Sequence, residues 1–206
     1  LLDECKIMNI KVVDNFTTIE DQLNLKKIIQ EDMYSITPSY EYHFNSSSVI
    51  NQSKISKNKF QINYPQFIKN IFNYLHKPDN TSFPRISNSV LFTQIYIMLC
   101  NNNLANNNIS RIKINTNFPY PNNTKKNYGP IHIDDERKGS TSIIYYLHNT
   151  DGDTVFFNNN SDNPKIIKRV SPRQGRAVVF DSNIPHAGCC PINSPFRQVI
   201  NFVLFK

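Results

Sequence analysis

A chain of 206 residues and 23.9 kDa is long enough for one domain with its own apolar core. No stretch approaches the ~20 apolar residues of a membrane span, and 12% aromatic residues with twelve prolines argue against disorder over most of the length. The net charge of +7 permits anionic partners, nucleic acid among them, but the Lys and Arg residues are scattered rather than gathered into a patch.

Residues 10–13 read as a short strand. Asp14-Asn15-Phe16 then turns into a helix capped by Thr17 or Thr18, with Glu20 and Asp21 in its first turn. Leu23, Leu25, Ile28 and Ile29 continue that helix to about Glu31. Residues 35–60 are rich in Ser, Asn and Lys without a period and read as a long loop. Pro65 suits a first helical turn, Phe67, Ile68, Ile71, Phe72 and Leu75 follow at helical spacing, and Pro78 ends that element. Residues 79–87 read as a linker around Pro84. The apolar run 90–100 fits a buried helix or a strand, and the Asn-rich segment 101–108 a loop.

From residue 109 the period changes to two. Arg111-Ile112-Lys113-Ile114-Asn115 alternates as a half-buried strand does. Further strands are expected at 131–134, 142–148, 154–157, 165–170, 177–180 and 197–205, separated by turn signals such as Asp151-Gly152 and Arg173-Gln174-Gly175. Short strands at this spacing argue for a sandwich or barrel. The expected fold is α+β in a single domain, 1–206: a helical N-terminal region (1–108) supporting a β core (109–206).

The chemistry concentrates in that core. In a strand, His132 and Asp134 share a face, roughly 7 Å apart along the chain, so an imidazole and a carboxylate can chelate one metal ion. His186, after the apolar run 177–180, is the natural third ligand. Two histidines and one carboxylate on one side of a metal leave the opposite positions open, as non-haem iron chemistry requires. Arg197 heads the apolar run 199–205, and a guanidinium there needs an anion. A dicarboxylate reaching from metal to Arg197 satisfies both, with Tyr146 as a second donor and Ile144, on the same strand face, packed along its methylenes. His43, His76 and His148 have no such company and read as structural or surface groups. Cys5, Cys100, Cys189 and Cys190 show neither metal-finger spacing nor a secreted disulfide framework. They read as reduced thiols, which with a start lacking signal-peptide regions points to a cytoplasmic setting.

The ordered set His132-x-Asp134, Ile143-Ile144-Tyr145-Tyr146-Leu147, Gly152-Asp153-Thr154-Val155-Phe156, Ser171 to Phe180, Pro185-His186-Ala187 and Arg197 resembles the 2-oxoglutarate/Fe(II)-dependent oxygenases, specifically their prolyl-4-hydroxylase-like branch. Val12-Val13-Asp14-Asn15-Phe16 before a helix is similar to that family's opening. The resemblance implies a double-stranded β-helix (jelly roll) with N-terminal helices packed on one sheet. It implies Fe(II) on His132, Asp134 and His186, 2-oxoglutarate as co-substrate on Arg197, O2 as oxidant and ascorbate as a supporting reductant. It further implies hydroxylation of a C–H bond, prolyl or another amino-acid side chain in a peptide, protein or small amino acid, with succinate and CO2 as co-products. The branch usually has an Arg-Tyr pair about ten residues before its His-x-Asp; here Tyr120 is the candidate replacement. Two alternatives stand beside this reading. Nucleic-acid oxidative demethylation would want a second arginine where Val203 stands, and a non-catalytic metal-binding β domain would not need Arg197.

Overall fold

The computed structural model describes residues 9–34, 41–42, 61, 66–76, 82–104, 107–158 and 163–205. Strand β1 (Ile10–Val13) leads through the Asp14–Asn15 turn into α1 (Ile19–Tyr34). Thr18 caps α1: its Oγ1 accepts from the Asp21 N–H at 3.1 Å and donates to the Asp21 carboxylate at 2.9 Å. Thr17 instead turns inward, 2.9 Å from the Tyr145 hydroxyl. Leu25 and Ile29 are buried, whereas Leu23 faces solvent. The run 90–100 is helical, α2 (Ser89–Asn101), started by Asn88, whose side chain accepts from the Leu91 N–H at 2.8 Å. Leu91, Ile95, Met98 and Leu99 then fall on one face and enter the core.

The strands β2 (Glu41–Tyr42), β3 (Gln66–His76), β4 (Ser82–Ile86), β5 (Asn108–Asn117), β6 (Thr141–Tyr146), β7 (Thr154–Phe157), β8 (Ile166–Val170), β9 (Ala177–Asp181), β10 (His186–Gly188) and β11 (Arg197–Phe205) form two antiparallel sheets. The larger runs β1-β9-β6-β11-β5-β3-β2, with β4 on β3, and the smaller runs β10-β7-β8. Alternation divides the large sheet's side chains. Ile112, Ile114, Ile143, Tyr145, Ile200 and Phe202 meet the helices, while Ile144, Tyr146, Val178, Phe180 and Val199 meet Phe156 of the small sheet. Both faces are covered, so these strands read as continuous apolar runs. The result is the expected jelly roll with helices on one sheet. Among the described residues, no helix is long and apolar enough to cross a membrane.

Four expectations are corrected. Residues 66–76 are a strand, not a helix. β3 pairs with β5 and β4, and its register shifts between Asn70 and Phe72, so Ile71 and Phe72 are both buried. An extra residue of this kind breaks the period of two and imitates helical spacing. The linker 79–87 contains β4, whose Pro84 is tolerated because β4 has only β3 as a neighbour. The N-terminal region thus contributes strands as well as helices. Residues 131–134 form only one bridge, His132 with His186, since Pro130 has no N–H to extend a ladder. Conversely, β10 at His186 is a strand not anticipated. Of the loop 35–60, only Glu41–Tyr42 lies within the described residues, and it is β2; Pro65, Pro78, Cys5 and His43 lie outside them.

Gly175 ties the opening of α1 to the β6–β9 side: its carbonyl accepts from the Phe16 N–H at 2.8 Å, its φ is +76°, and a Cβ there would strike the Gln22 amide. Gly175→Ala should cost about 2–3 kcal/mol, lowering Tm by roughly 5–10 °C, as differential scanning calorimetry would measure.

Candidate metal centre and anion pocket

The bridge between His132 and His186 brings the two imidazoles together. Each backbone N–H donates to the other's carbonyl, at 3.0 and 2.9 Å, and the ring centroids are 4.4 Å apart. The Asp134 N–H donates to the Ser182 carbonyl at 2.9 Å, which turns the carboxylate toward the same point. The ligand atoms of His132, Asp134 and His186 all lie within 4.8 Å of one another. His132 Nδ1 lies 3.0 Å from the Pro130 carbonyl and His186 Nδ1 3.0 Å from the Ile184 carbonyl. A carbonyl only accepts, so each Nδ1 carries the proton and each Nε2 presents its lone pair inward.

Asp134, 1% exposed, is held by three donors: Arg111 at 2.7 Å on Oδ1, and the Ser142 hydroxyl at 2.8 Å and Asn201 amide at 3.1 Å on Oδ2. Burial works against its charge, but His186 and Arg111 outweigh this and hold its carboxyl well below the usual range. Burial, then the neighbouring His186, push His132 down to about 3, and burial lowers His186 as well. At neutral pH the cluster is therefore two neutral imidazoles and a carboxylate, the donor set that binds a divalent ion. The two histidines also set a pH dependence. Their folded pKa values lie below the unfolded value near 6.5, so the unfolded chain binds more protons in acid. Stability is full above about pH 6.5 and falls as pH drops below it. Thermal melts of the metal-free protein should show a flat Tm from pH 7 to 8 and a progressive fall toward pH 5.

At the start of β11 lies Arg197, 3% exposed. Its Nε donates to the Gly152 carbonyl at 2.7 Å, Nη2 to the Thr154 hydroxyl at 2.8 Å, and Nη1 to Asn117 Oδ1 at 3.4 Å. Among the described residues no carboxylate pairs with it. Tyr146, fully buried with its ring 5.8 Å from the guanidinium, donates to the same Thr154 oxygen at 2.7 Å. Thr154 Oγ1 thus accepts twice, leaving its own proton to donate elsewhere. Asn117, 0% exposed and opposite Arg197 in register, has an Nδ2 with no partner. Gly152 has a φ of +103°, and a Cβ there would lie 2.8 Å from the Cys189 carbonyl and 3.1 Å from Arg197 Cδ. Glycine is what lets its carbonyl orient the guanidinium. Arg197, Thr154 and Asn117 thus form one hydrogen-bonded group with N–H and O–H donors to spare, the chemistry an anion would satisfy.

Ile144 lies between the sheets with Tyr146, Phe156 and Val199, on the strand face expected. Tyr120 is 38% exposed on the turn after β5; the inward position beside Arg197 belongs to Asn117. Arg111, Asn117, Ser142, Thr154 and Asn201 were not anticipated. The alternation of β5 was visible, but a polar alternate face normally means solvent, and here it faces the sandwich interior. Cys189 and Cys190 are buried and Cys100 is exposed, each outside any disulfide among the described residues.

An antiparallel jelly roll thus encloses two histidines and a carboxylate that could hold a metal ion, and a buried arginine without a carboxylate partner among the described residues. Residues 120–204 match the sequence model of the 2OG-Fe(II) oxygenase superfamily. That stretch carries the triad and Arg197. No curated protein matches the sequence significantly. Solved structures share the fold. A 2OG-Fe(II) oxygenase family oxidoreductase from Burkholderia pseudomallei has a TM-score of 0.61 at 11% identity, over 95% of this chain and 84% of its own. A Pseudomonas putida prolyl-4-hydroxylase has a TM-score of 0.55 at 14% identity, over 97% and 94%. The non-haem alpha ketoglutarate dependent epimerase SnoN from nogalamycin biosynthesis has 0.56 at 9% identity, over 97% and 78%.

Proposed function

We propose that this chain, one domain from residue 1 to 206, is an Fe(II)- and 2-oxoglutarate-dependent dioxygenase. In this reading it hydroxylates a C–H bond of a prolyl or other amino-acid side chain in a peptide, protein or small amino acid. The observation that carries the reading is the joint presence, in one β-sandwich, of two histidines beside Asp134 whose Nδ1 atoms face carbonyls and of a buried Arg197 with no carboxylate partner among the described residues. His132, Asp134 and His186 would hold Fe(II). Arg197, Thr154 and Asn117 would receive the distal carboxylate of 2-oxoglutarate, with Tyr146 orienting Thr154 and with Ile144 and Val199 along the methylenes. When bound, the iron and co-substrate supply O2 activation with release of succinate and CO2, and ascorbate keeps the metal ferrous. The chain's own part is to hold the carboxylates in place, keep both imidazoles neutral and exclude water with Phe156 and Phe180, whose rings pack 6.0 and 4.8 Å from His186.

The Pseudomonas putida neighbour supports a prolyl or related target. Val203, where a demethylase-like second arginine would stand, is buried opposite Ser142, which gives no support to a nucleic-acid substrate. A non-catalytic metal-binding module would leave the cost of burying Arg197 without a purpose. The free thiols fit a reducing, cytoplasmic setting. The test is succinate release from 2-oxoglutarate with Fe(II) and ascorbate, screened against proline-containing peptides, free amino acids and methylated oligonucleotides. Stimulation by a peptide or amino acid is expected; stimulation by oligonucleotides alone would overturn the substrate class, and no 2-oxoglutarate turnover with any of them the activity itself.

A further inference from the structure

Strand β5 turns Arg111, Lys113, Asn115 and Asn117 to the face opposite the helices, because Ile112 and Ile114 between them fill the core on the helix side. The ends of this row are accounted for by Asp134 and by Arg197. The middle is not. Lys113 stands opposite Asn201 of β11 and Asn70 of β3 in register, and Asn201 is itself a donor to Asp134. Lys113 is therefore level with the metal-binding end. Among the described residues no acceptor lies within hydrogen-bond distance of its ammonium, and both Asp134 oxygens are already engaged by Arg111, Ser142 and Asn201. Two cations on this wall share one carboxylate, and a divalent ion on the triad would add more positive charge. Next along the row, the buried Asn115 Oδ1 has no donor. A half-buried ammonium without a partner is costly unless an anion comes to it, and a buried amide oxygen unless an N–H does.

We propose that Lys113 and Asn115 form a substrate subsite that reads a carboxylate and an adjacent N–H, which specifies a free α-amino acid or a C-terminal residue rather than an internal residue of a chain. The proposal rests on the oxygenase reading above and narrows its substrate class. The co-substrate also carries a carboxylate near the metal, but it has no N–H to offer Asn115.

The test compares matched pairs of free amino acids and their carboxamides, L-proline and L-prolinamide first. Binding is measured by calorimetry without oxygen on protein loaded with Mn(II) and 2-oxoglutarate, and turnover by succinate release. The wild type should bind its preferred acid at least about tenfold more tightly than the amide. Lys113→Met should erase that preference while 2-oxoglutarate affinity stays within about twofold; Lys113→Arg should retain it. Metal-free Lys113→Met should melt no lower than wild type, since it loses a half-buried charge without a hydrogen-bonded partner among the described residues rather than a structural partner. Acid and amide binding equally to wild type would overturn the proposal. So would weaker 2-oxoglutarate binding in Lys113→Met with the acid preference intact, which would assign the ammonium to the co-substrate. A lower Tm with the preference intact would make Lys113 structural and overturn it too. Wild-type protein that binds no 2-oxoglutarate would instead defeat the oxygenase reading.

Discussion

Asp134→Ala is expected to abolish iron loading and to lower 2-oxoglutarate turnover by at least about 10³-fold, since losing a mere outer partner of a metal ligand already costs roughly 10–100-fold. The carboxylate is the one anionic ligand of the triad. Its removal leaves two neutral imidazoles facing a divalent ion with no charge compensation from the protein. It also strands Arg111, Ser142 and Asn201, which now aim donors at Asp134 from 2.7 to 3.1 Å. Metal content after anaerobic reconstitution, measured by elemental analysis, checks the first claim and succinate release the second. Asp134→Asn should bind metal nearly as poorly: an amide would turn an N–H toward the Arg111, Ser142 and Asn201 donors. A variant that kept full iron occupancy would show that the triad is not the metal centre.

Arg197→Leu should weaken 2-oxoglutarate by about 100-fold or more, as expected when a buried, multiply hydrogen-bonded guanidinium is taken from a carboxylate. A 2-oxo acid without the distal carboxylate, 2-oxobutanoate, should bind wild type and variant alike, because its affinity never depended on Arg197. Calorimetry on the Mn(II)-loaded protein without oxygen measures both. The folded state should change little. Leucine leaves the Gly152 carbonyl without its 2.7 Å donor, at a cost of about 1–3 kcal/mol, but it also removes a buried charge that no carboxylate among the described residues neutralises. Equal losses for both acids would make Arg197 structural.

The site was legible where its chemistry is encoded by residue type and order. His132, Asp134, His186 and Arg197 could be found because few side chains bind metals or demand anions when buried, and the strands between them alternate visibly. Tyr120 shows the limit. Asn117, not Tyr120, stands beside Arg197, and no local pattern distinguishes an asparagine facing solvent from one facing the sandwich interior. The same holds for Arg111, Ser142 and Asn201 around Asp134, which come from β5, β6 and β11 and meet only because those three strands are neighbours in one sheet.

The helix expected over 66–76 failed for a related reason. The spacing of its apolar residues was real, but it came from a bulge at Ile71 in a strand held by β5 and β4. Intrinsic periodicity cannot tell an irregular strand from a helix when the deciding hydrogen bonds go to residues some forty positions away. The amino-acid sequence by itself determined the sandwich, a helical start at Thr17 or Thr18 and the candidate triad His132, Asp134 and His186, all of which rest on short-range pattern and donor chemistry. Only the tertiary structure decided which strand face turned inward, and with it the fate of β3, the tautomers of the two histidines and the partners of Arg197, because those depend on strand neighbours brought together from distant parts of the chain.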